Sequence, residues 1–227
     1  MRSTPALLLT LFFLSSCLQA QAAAGWQENK HYFTIQPAQR TSVPQGKVEV
    51  AEVFSYGCPA CDQFYPIAEE IKSRLPANAE LVFIPASFIP AEQWPLFQRA
   101  YLTAQVLGVA EKTHQAMFKA VWGGGELAVV DPQTRRIKKP PPTLEDVAKF
   151  YERTAGVKPA EFMATAKSFS VEMNMKRADQ WIAAGKVAQT PTIVVNGKYR
   201  LTVQSAGGVP QMFELIDWLV AKESAAH

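Results

Sequence analysis

The sequence predicts an α/β protein with an inserted all-helical subdomain, and three observations lead to this fold class. The first part of the chain alternates strand-like and helical segments in the order β, β, α, β. The last part has two short strands followed by a helix. Between the two parts, apolar residues recur with a period near 3.6, which is typical of helices. We therefore expect one sheet-containing domain made of residues 23–88 and 171–227, with residues 89–170 inserted as helices.

The first piece of this domain contains the most apolar strand of the sequence. A short β-like run at residues 31–35 precedes residues 47–54, whose composition predicts a strand buried on both faces. Residues 62–75 have apolar side chains at helical spacing, and this helix is expected to end at Pro76. A third strand is predicted at residues 80–84.

The inserted helices are delimited by residues that begin or end helices. We expect helices to end at Gly108, Gly123 and Gly156, and one to begin with Thr143 as its N-cap. Residues 123–142 are rich in glycine and proline, so they predict a protruding loop with a small hairpin over residues 127–138.

The chain returns to the sheet after a long helix at residues 171–184. Residues 192–195 predict a strand, and the Asn196-Gly197 pair predicts a tight turn into a second strand over residues 198–201. A last amphipathic helix is expected after Gly207-Gly208.

The N-terminus has the features of a targeting segment. Arg2 precedes an apolar run at residues 6–14, which is too short to span a bilayer and is followed by small residues. We predict a signal peptide over residues 1–22. As an alternative, Leu14-Ser15-Ser16-Cys17 resembles a lipobox, which would make residues 1–16 a lipoprotein signal and Cys17 a lipidated first residue. Either form of processing removes the free thiol of Cys17.

Composition excludes several classes of function. The 227 residues are 48% hydrophobic and 19% charged, and 23 Lys and Arg are nearly balanced by 20 Asp and Glu, which gives a net charge of +3. We therefore do not expect nucleic acid as a partner. Three cysteines are too few for a disulfide-stapled scaffold.

The cysteine pair Cys58-Pro59-Ala60-Cys61 is the main chemical feature of the sequence. It lies between a buried strand and an amphipathic helix, where Pro59 suits the first helical position and the positive helix end stabilises a thiolate. A zinc site would need further Cys or His ligands, and covalent haem would need His where Asp62 stands. A purely structural disulfide closing so short a loop would constrain the unfolded chain little. Redox chemistry is therefore the favoured use.

Two segments of this sequence resemble the signature segments of DsbA-type thiol:disulfide oxidoreductases. They are Phe54-Ser55-Tyr56-Gly57-Cys58-Pro59-Ala60-Cys61 and Thr190-Pro191-Thr192-Ile193-Val194-Val195-Asn196-Gly197-Lys198-Tyr199. The resemblance implies a thioredoxin-like fold with a helical insertion. It also implies a soluble periplasmic enzyme that donates a disulfide to reduced exported polypeptides. Because no separate dimerisation domain precedes the catalytic one, we expect a monomer. The reoxidising partner implied is a quinone-linked membrane oxidase of DsbB type. The Cys58–Cys61 disulfide would serve without a separate cofactor or metal.

The resemblance also implies roles for single residues. Cys58 would be the exposed nucleophile and Cys61 its buried resolving partner. Pro191 matches the family's cis-proline, which faces the disulfide and presents the backbone of Thr190 to an extended substrate. The best-known member of the family has histidine where this chain has Ala60, so one donor to the thiolate is missing here. We still expect a pKa of Cys58 below that of a free thiol, from N–H groups at the helix terminus alone.

Glu52 is the remaining candidate catalytic residue. A carboxyl within a buried strand should have a raised pKa and is suited to carrying the proton of Cys61. The alternative is a partly exposed Glu52 paired with a lysine.

Three alternatives remain open from the sequence. One is a disulfide reductase or isomerase of the same fold, which would differ in redox poise. Another is a non-catalytic periplasmic protein that binds metal or peptide. The third concerns location: a lipid at Cys17 would anchor the protein to a membrane facing the periplasm.

Overall fold

Five strands form one mixed sheet, with the most apolar strand of the sequence at its interior. The computed structural model describes residues 25–131 and 133–225. The sheet has the order β1-β5-β4-β2-β3. Its strands are β1 (Phe33–Thr34), β2 (Val48–Phe54), β3 (Ala79–Pro85), β4 (Thr192–Val195) and β5 (Tyr199–Leu201).

Strand β2 joins the two halves of the sheet. It runs parallel to β3 and antiparallel to β4, so Glu52 lies opposite Phe83 on one side and Ile193 on the other. All seven residues of β2 are buried, which confirms the strand predicted to be covered on both faces. A strand with neighbours on both edges and helices over both faces requires such a composition.

Eight α-helices and a short 3₁₀ turn at Pro90–Glu92 accompany the sheet in the described ranges. The helices are α1 (Pro59–Arg74), α2 (Trp94–Val106), α3 (Ala110–Trp122), α4 (Leu144–Ala155), α5 (Pro159–Ala166), α6 (Phe169–Ala184), α7 (Val203–Ala206) and α8 (Val209–Ser224).

Local capping determines several of these boundaries. The Thr143 side chain accepts a hydrogen bond from the Asp146 N–H at the start of α4, and Gly156 ends that helix in a left-handed conformation with φ of 71°. Helix α6 begins at Phe169, two residues before the predicted start, because the Ser168 hydroxyl caps it by accepting from the N–H of Val171.

The Asn196-Gly197 pair forms the predicted tight turn between β4 and β5. Both residues have left-handed φ values, 51° and 64°, as a two-residue hairpin turn of type I′ requires. The turn returns β5 antiparallel to β4, with Val195 opposite Tyr199.

Two apolar clusters lie in the described part of the molecule. One contains Phe54, Tyr56 and Cys61 together with side chains from α2 to α6. The other contains Val50 and Ile193 together with side chains from α1 and α8. The cysteine pair therefore lies where the sheet meets the inserted helices.

The segment at residues 123–142 differs in part from the expected protruding loop. Val130 and Ile137 form a single antiparallel bridge, so a small hairpin is present. Its first arm, including Leu127 and Val129, is buried in the larger apolar cluster rather than protruding. Apolar side chains on that arm favour packing over exposure.

The predicted signal peptide, residues 1–22, and the alternative lipidation site at Cys17 lie outside the described residues. Over residues 25–131 and 133–225, the helices are all too short or too polar to cross a membrane.

Candidate active site

The cysteine pair begins the first helix. Cys58 is the N-cap residue of α1, and its carbonyl oxygen accepts hydrogen bonds from the N–H groups of Cys61 and Asp62 at 3.1 and 3.2 Å. The predicted helix over residues 62–75 in fact starts at Pro59, because proline is well suited to the first helical position. Cys61 therefore lies one turn into the helix.

The two thiols differ in accessibility. Cys58 is 5% exposed and Cys61 is 0% exposed. The expectation of an exposed Cys58 was wrong, because neighbouring residues leave only a small part of its surface accessible to solvent. Cys58 is nevertheless the more accessible of the two cysteines.

The pKa of Cys58 is lowered to about 6. The largest cause is a side-chain hydrogen bond from Cys61, followed by the Thr190 side chain and the backbone N–H groups of Cys61 and Ala60, while burial opposes the shift. The predicted direction is confirmed. The expectation that the N–H groups of the helix terminus alone lower the pKa of Cys58 was wrong, because the side chains of Cys61 and Thr190 also lower it.

The pKa of Cys61 shifts in the opposite direction. Burial raises it far above that of a free thiol, and the side chain and negative charge of Cys58 raise it further. These opposite shifts in pKa favour a thiolate at Cys58 and a protonated thiol at Cys61.

Thr190, which precedes Pro191, lies beside Cys58. The peptide bond between Thr190 and Pro191 is cis, as the resemblance implied. The Thr190 carbonyl oxygen lies 3.6 Å from the Cys58 sulfur and accepts from its thiol. Because β4 begins at Thr192, the loop before this strand is fixed beside the N-terminus of α1.

Glu52 lies within β2 and is 2% exposed. Burial raises the pKa of its carboxyl well above the usual value, and the negative charge of Cys58 adds to this effect. None of the ion pairs among the described residues includes Glu52. The alternative of a partly exposed Glu52 paired with a lysine is therefore wrong, and Glu52 also raises the pKa of Cys61.

The inserted helices contribute side chains that sequence reasoning did not associate with the site. The Tyr56 hydroxyl lies 2.8 Å from Nδ1 of His114, and burial lowers the pKa of His114 to about 3, so this imidazole is neutral. Trp122 donates from Nε1 to the Tyr56 carbonyl oxygen at 2.8 Å. These contacts hold the turn that precedes Cys58. In the sequence, the one sign of these contacts is that Tyr56 lies two residues before Cys58.

Gly57 is required by the close approach of an indole ring. A Cβ atom at this position would lie 2.6 Å from Cδ1 and 2.7 Å from Nε1 of Trp94. Trp94 is the first residue of α2. The start of the insertion therefore packs directly against the residue before Cys58.

Across residues 25–131 and 133–225, no three His, Cys, Asp or Glu side chains are grouped closely enough to hold a metal ion.

In this mixed sheet, an interior strand leads into a helix whose N-terminus carries a Cys-x-x-Cys pair, and a loop with a cis-proline lies beside the first cysteine. This arrangement defines a thioredoxin-fold thiol:disulfide oxidoreductase. Residues 43–214 match the family model described as Thioredoxin. The chain is 34% identical over 209 residues to the thiol:disulfide interchange protein DsbA of Pseudomonas syringae pv. tomato, covering 92% of this chain and 90% of that protein. It is 33% identical over 222 residues to DsbA of Pseudomonas aeruginosa, covering 97% of both.

Comparison with solved structures also shows similarity to DsbA proteins. The crystal structure of Pseudomonas aeruginosa DsbA superposes with a TM-score of 0.75 at 34% identity, covering 90% of this chain and 97% of that one. The oxidoreductase DsbA from Xylella fastidiosa gives a TM-score of 0.73 at 33% identity, covering 86% and 96%. The chain belongs to the DsbA family of thiol:disulfide interchange proteins.

Proposed function

We propose that the Cys58–Cys61 disulfide is transferred to reduced polypeptides through a mixed disulfide at Cys58. The observation that carries this proposal is the opposite displacement of the two thiol pKa values. A thiolate with a low pKa is a good leaving group, so a disulfide that contains Cys58 is readily exchanged. The same stabilisation favours the reduced protein, which makes its oxidised form a donor of disulfides.

The exchange takes place in two steps. A substrate thiolate attacks the Cys58 sulfur, the Cys58–Cys61 bond breaks, and Cys61 leaves as a thiolate that takes up a proton. A second substrate thiolate then attacks the substrate sulfur of the mixed disulfide, and Cys58 leaves as a thiolate. The substrate loses two electrons and gains one disulfide, while the protein gains those two electrons as a dithiol. No separate cofactor enters either step.

Glu52 is proposed as the source of the proton taken up by Cys61. Its carboxyl is buried and has a raised pKa, so it retains a proton where an exposed glutamate has lost it. Because a Cys61 thiolate is strongly disfavoured by burial, a nearby proton donor lowers the barrier to its departure.

Thr190 and Pro191 are proposed to hold the substrate. The Thr190 carbonyl oxygen lies beside the Cys58 sulfur, which is where an extended substrate would pair its backbone during exchange. Pro59 and Ala60 form the active-site loop between the two cysteines.

The partners and location follow the family. We propose that the substrates are exported polypeptides, that a membrane oxidase of DsbB type restores the disulfide, and that the protein acts as a monomer in the periplasm. The family match does not favour the reductase, isomerase or binding-protein alternatives, and the low pKa of Cys58 supports the oxidising direction.

The experiment that tests this function measures the transfer itself. The oxidised full-length protein is mixed with one equivalent of a reduced two-cysteine peptide, and thiols are counted on both by mass spectrometry after alkylation. We expect the peptide to lose two thiols and the protein to gain two. A Cys58→Ser variant should transfer nothing, whereas Cys61→Ser should retain a Cys58 that is alkylated rapidly at pH 6.5. Equal transfer by Cys58→Ser would overturn the proposal.

A further inference from the structure

A cavity of about 660 Å³, lined by both polar and apolar side chains, opens beside the loop that carries Thr190. Gln189 and Thr192, which flank the Thr190-Pro191 pair, contribute to its lining, and strands β1 and β5 form another part. The Thr190 carbonyl oxygen lies 3.6 Å from the Cys58 sulfur. Two residues that line the cavity are therefore sequence neighbours of the Thr190-Pro191 pair, whose Thr190 carbonyl lies beside the reacting sulfur.

Arg200 has the single charged side chain among the described residues that line this cavity, and none of these residues is Asp or Glu. On the sheet, Arg200 of β5 lies directly opposite Phe33 of β1. The Arg200 guanidinium carbon is 4.9 Å from the centroid of the Phe33 ring, a cation–π arrangement that orients the guanidinium. Both side chains line the cavity.

The charge of Arg200 is not matched by an acidic side chain of the described chain. None of the ion pairs within residues 25–131 and 133–225 includes Arg200. The residue is half-buried, and a charge at a partly desolvated position interacts more strongly with an opposite charge than one in open water. The planar guanidinium also has N–H donors arranged to bind a carboxylate through two hydrogen bonds.

We propose that this cavity binds an acidic side chain of the substrate polypeptide, close in sequence to its reacting cysteine, and that Arg200 is a specificity-determining residue. The inference rests on the proposed function, since it assumes that a substrate thiol reaches Cys58. An extended segment advances about 3.3 Å per residue. A substrate segment that runs past Thr190 would therefore carry side chains close to its cysteine towards this cavity, whose lining includes both neighbours of the Thr190-Pro191 pair.

The test compares two reduced peptides that differ only in one residue, Asp or Asn, two positions from the cysteine. Pairs are made with this residue on either side of the cysteine, and the rate of oxidation by the oxidised full-length protein is measured for each. In one of the two positions we expect the Asp peptide to react about fivefold faster, which corresponds to ~1 kcal/mol for one partly exposed ion pair. Arg200→Gln should bring the ratio close to one, and Arg200→Glu should invert it.

Arg136→Gln is the matched control, because Arg136 is exposed and lies outside this cavity. It removes the same charge and should leave the ratio of the two peptides unchanged. Equal rates for Asp and Asn peptides at both positions would overturn the inference while leaving disulfide transfer intact. A native protein that oxidises neither peptide would instead contradict the proposed function.

Discussion

The Cys58 sulfur lies 3.6 Å from the carbonyl oxygen of Thr190, a residue 132 positions away in the chain. A thiol donates a hydrogen bond to this oxygen, whereas a thiolate or a disulfide sulfur has no proton to donate. The carbonyl is therefore engaged by Cys58 only when that thiol is protonated. In the proposed function, oxidation or ionisation of Cys58 makes this oxygen available to a backbone N–H of the substrate.

The reduced protein should titrate at Cys58 well below an ordinary thiol. We expect a midpoint near the pKa of about 6, rather than the usual value of about 8.5, when thiolate absorbance is followed against pH. A Cys58→Ser variant should lack this transition, because Cys61 keeps its proton. A midpoint close to that of a free thiol would show that the hydrogen bonds to Cys58 do not stabilise its thiolate.

The stability of the reduced protein should change with pH through the same group. The folded-state pKa of Cys58 is lowered, so its contribution is fully present above the unfolded pKa and is lost as pH falls through about 6. Urea unfolding of the reduced native protein, relative to Cys58→Ser, should therefore show a difference that grows between pH 6 and pH 8.

Replacing Glu52 with Gln should slow peptide oxidation at neutral pH, because the glutamine has no proton to give to Cys61. The variant should also lose one titration from the pH profile of this rate. Stopped-flow measurement of peptide oxidation between pH 5 and pH 8 checks both effects. The exposed residue Glu214 supplies the control Glu214→Gln, which should behave as the native protein does.

The unfolding free energy gives a second readout for Glu52. Its folded pKa is raised, so its stabilising contribution is present below the unfolded pKa and is lost as pH rises through the folded value. Glu52→Gln does not titrate, and its stability relative to the native protein should increase from pH 5 to pH 8. A pH-independent difference would mean that the carboxyl is not held protonated by burial.

Gly57→Ala should displace the indole of Trp94 from its position beside the active-site turn. The added Cβ would meet two atoms of that ring at 2.6 and 2.7 Å, an overpacking expected to cost ~1–3 kcal/mol of unfolding free energy. Tryptophan fluorescence and urea unfolding measure the change. Gly25→Ala, at a residue with no atom near its Cβ position, should have almost no effect, and equal stability of both variants would refute the packing argument.

Local features of the sequence predicted much of the fold and the core of the site. The apolar run of β2, the Asn196-Gly197 turn and the strand-to-helix position of Cys58 all depend on residues close together in the chain. Short-range periodicity and turn chemistry are sufficient for such elements.

Contacts between distant segments were not predictable in the same way. The hydrogen bond between Tyr56 and His114 and the position of Arg200 over Phe33 depend on how the insertion and the edge strand pack. No single-sequence pattern contains that information. The low accessibility of Cys58 has the same origin, because Cys58 lies beside Thr190 and belongs to the apolar cluster that the inserted helices help to form.

The redox equilibrium between the Cys58–Cys61 pair and glutathione tests the central claim most directly. The oxidised protein is equilibrated with increasing ratios of reduced to oxidised glutathione, and the dithiol fraction is measured after acid quenching and alkylation. Because the Cys58 thiolate stabilises the reduced form, we expect the pair to become dithiol even in mildly reducing mixtures. A pair that remains disulfide in strongly reducing glutathione would contradict the account.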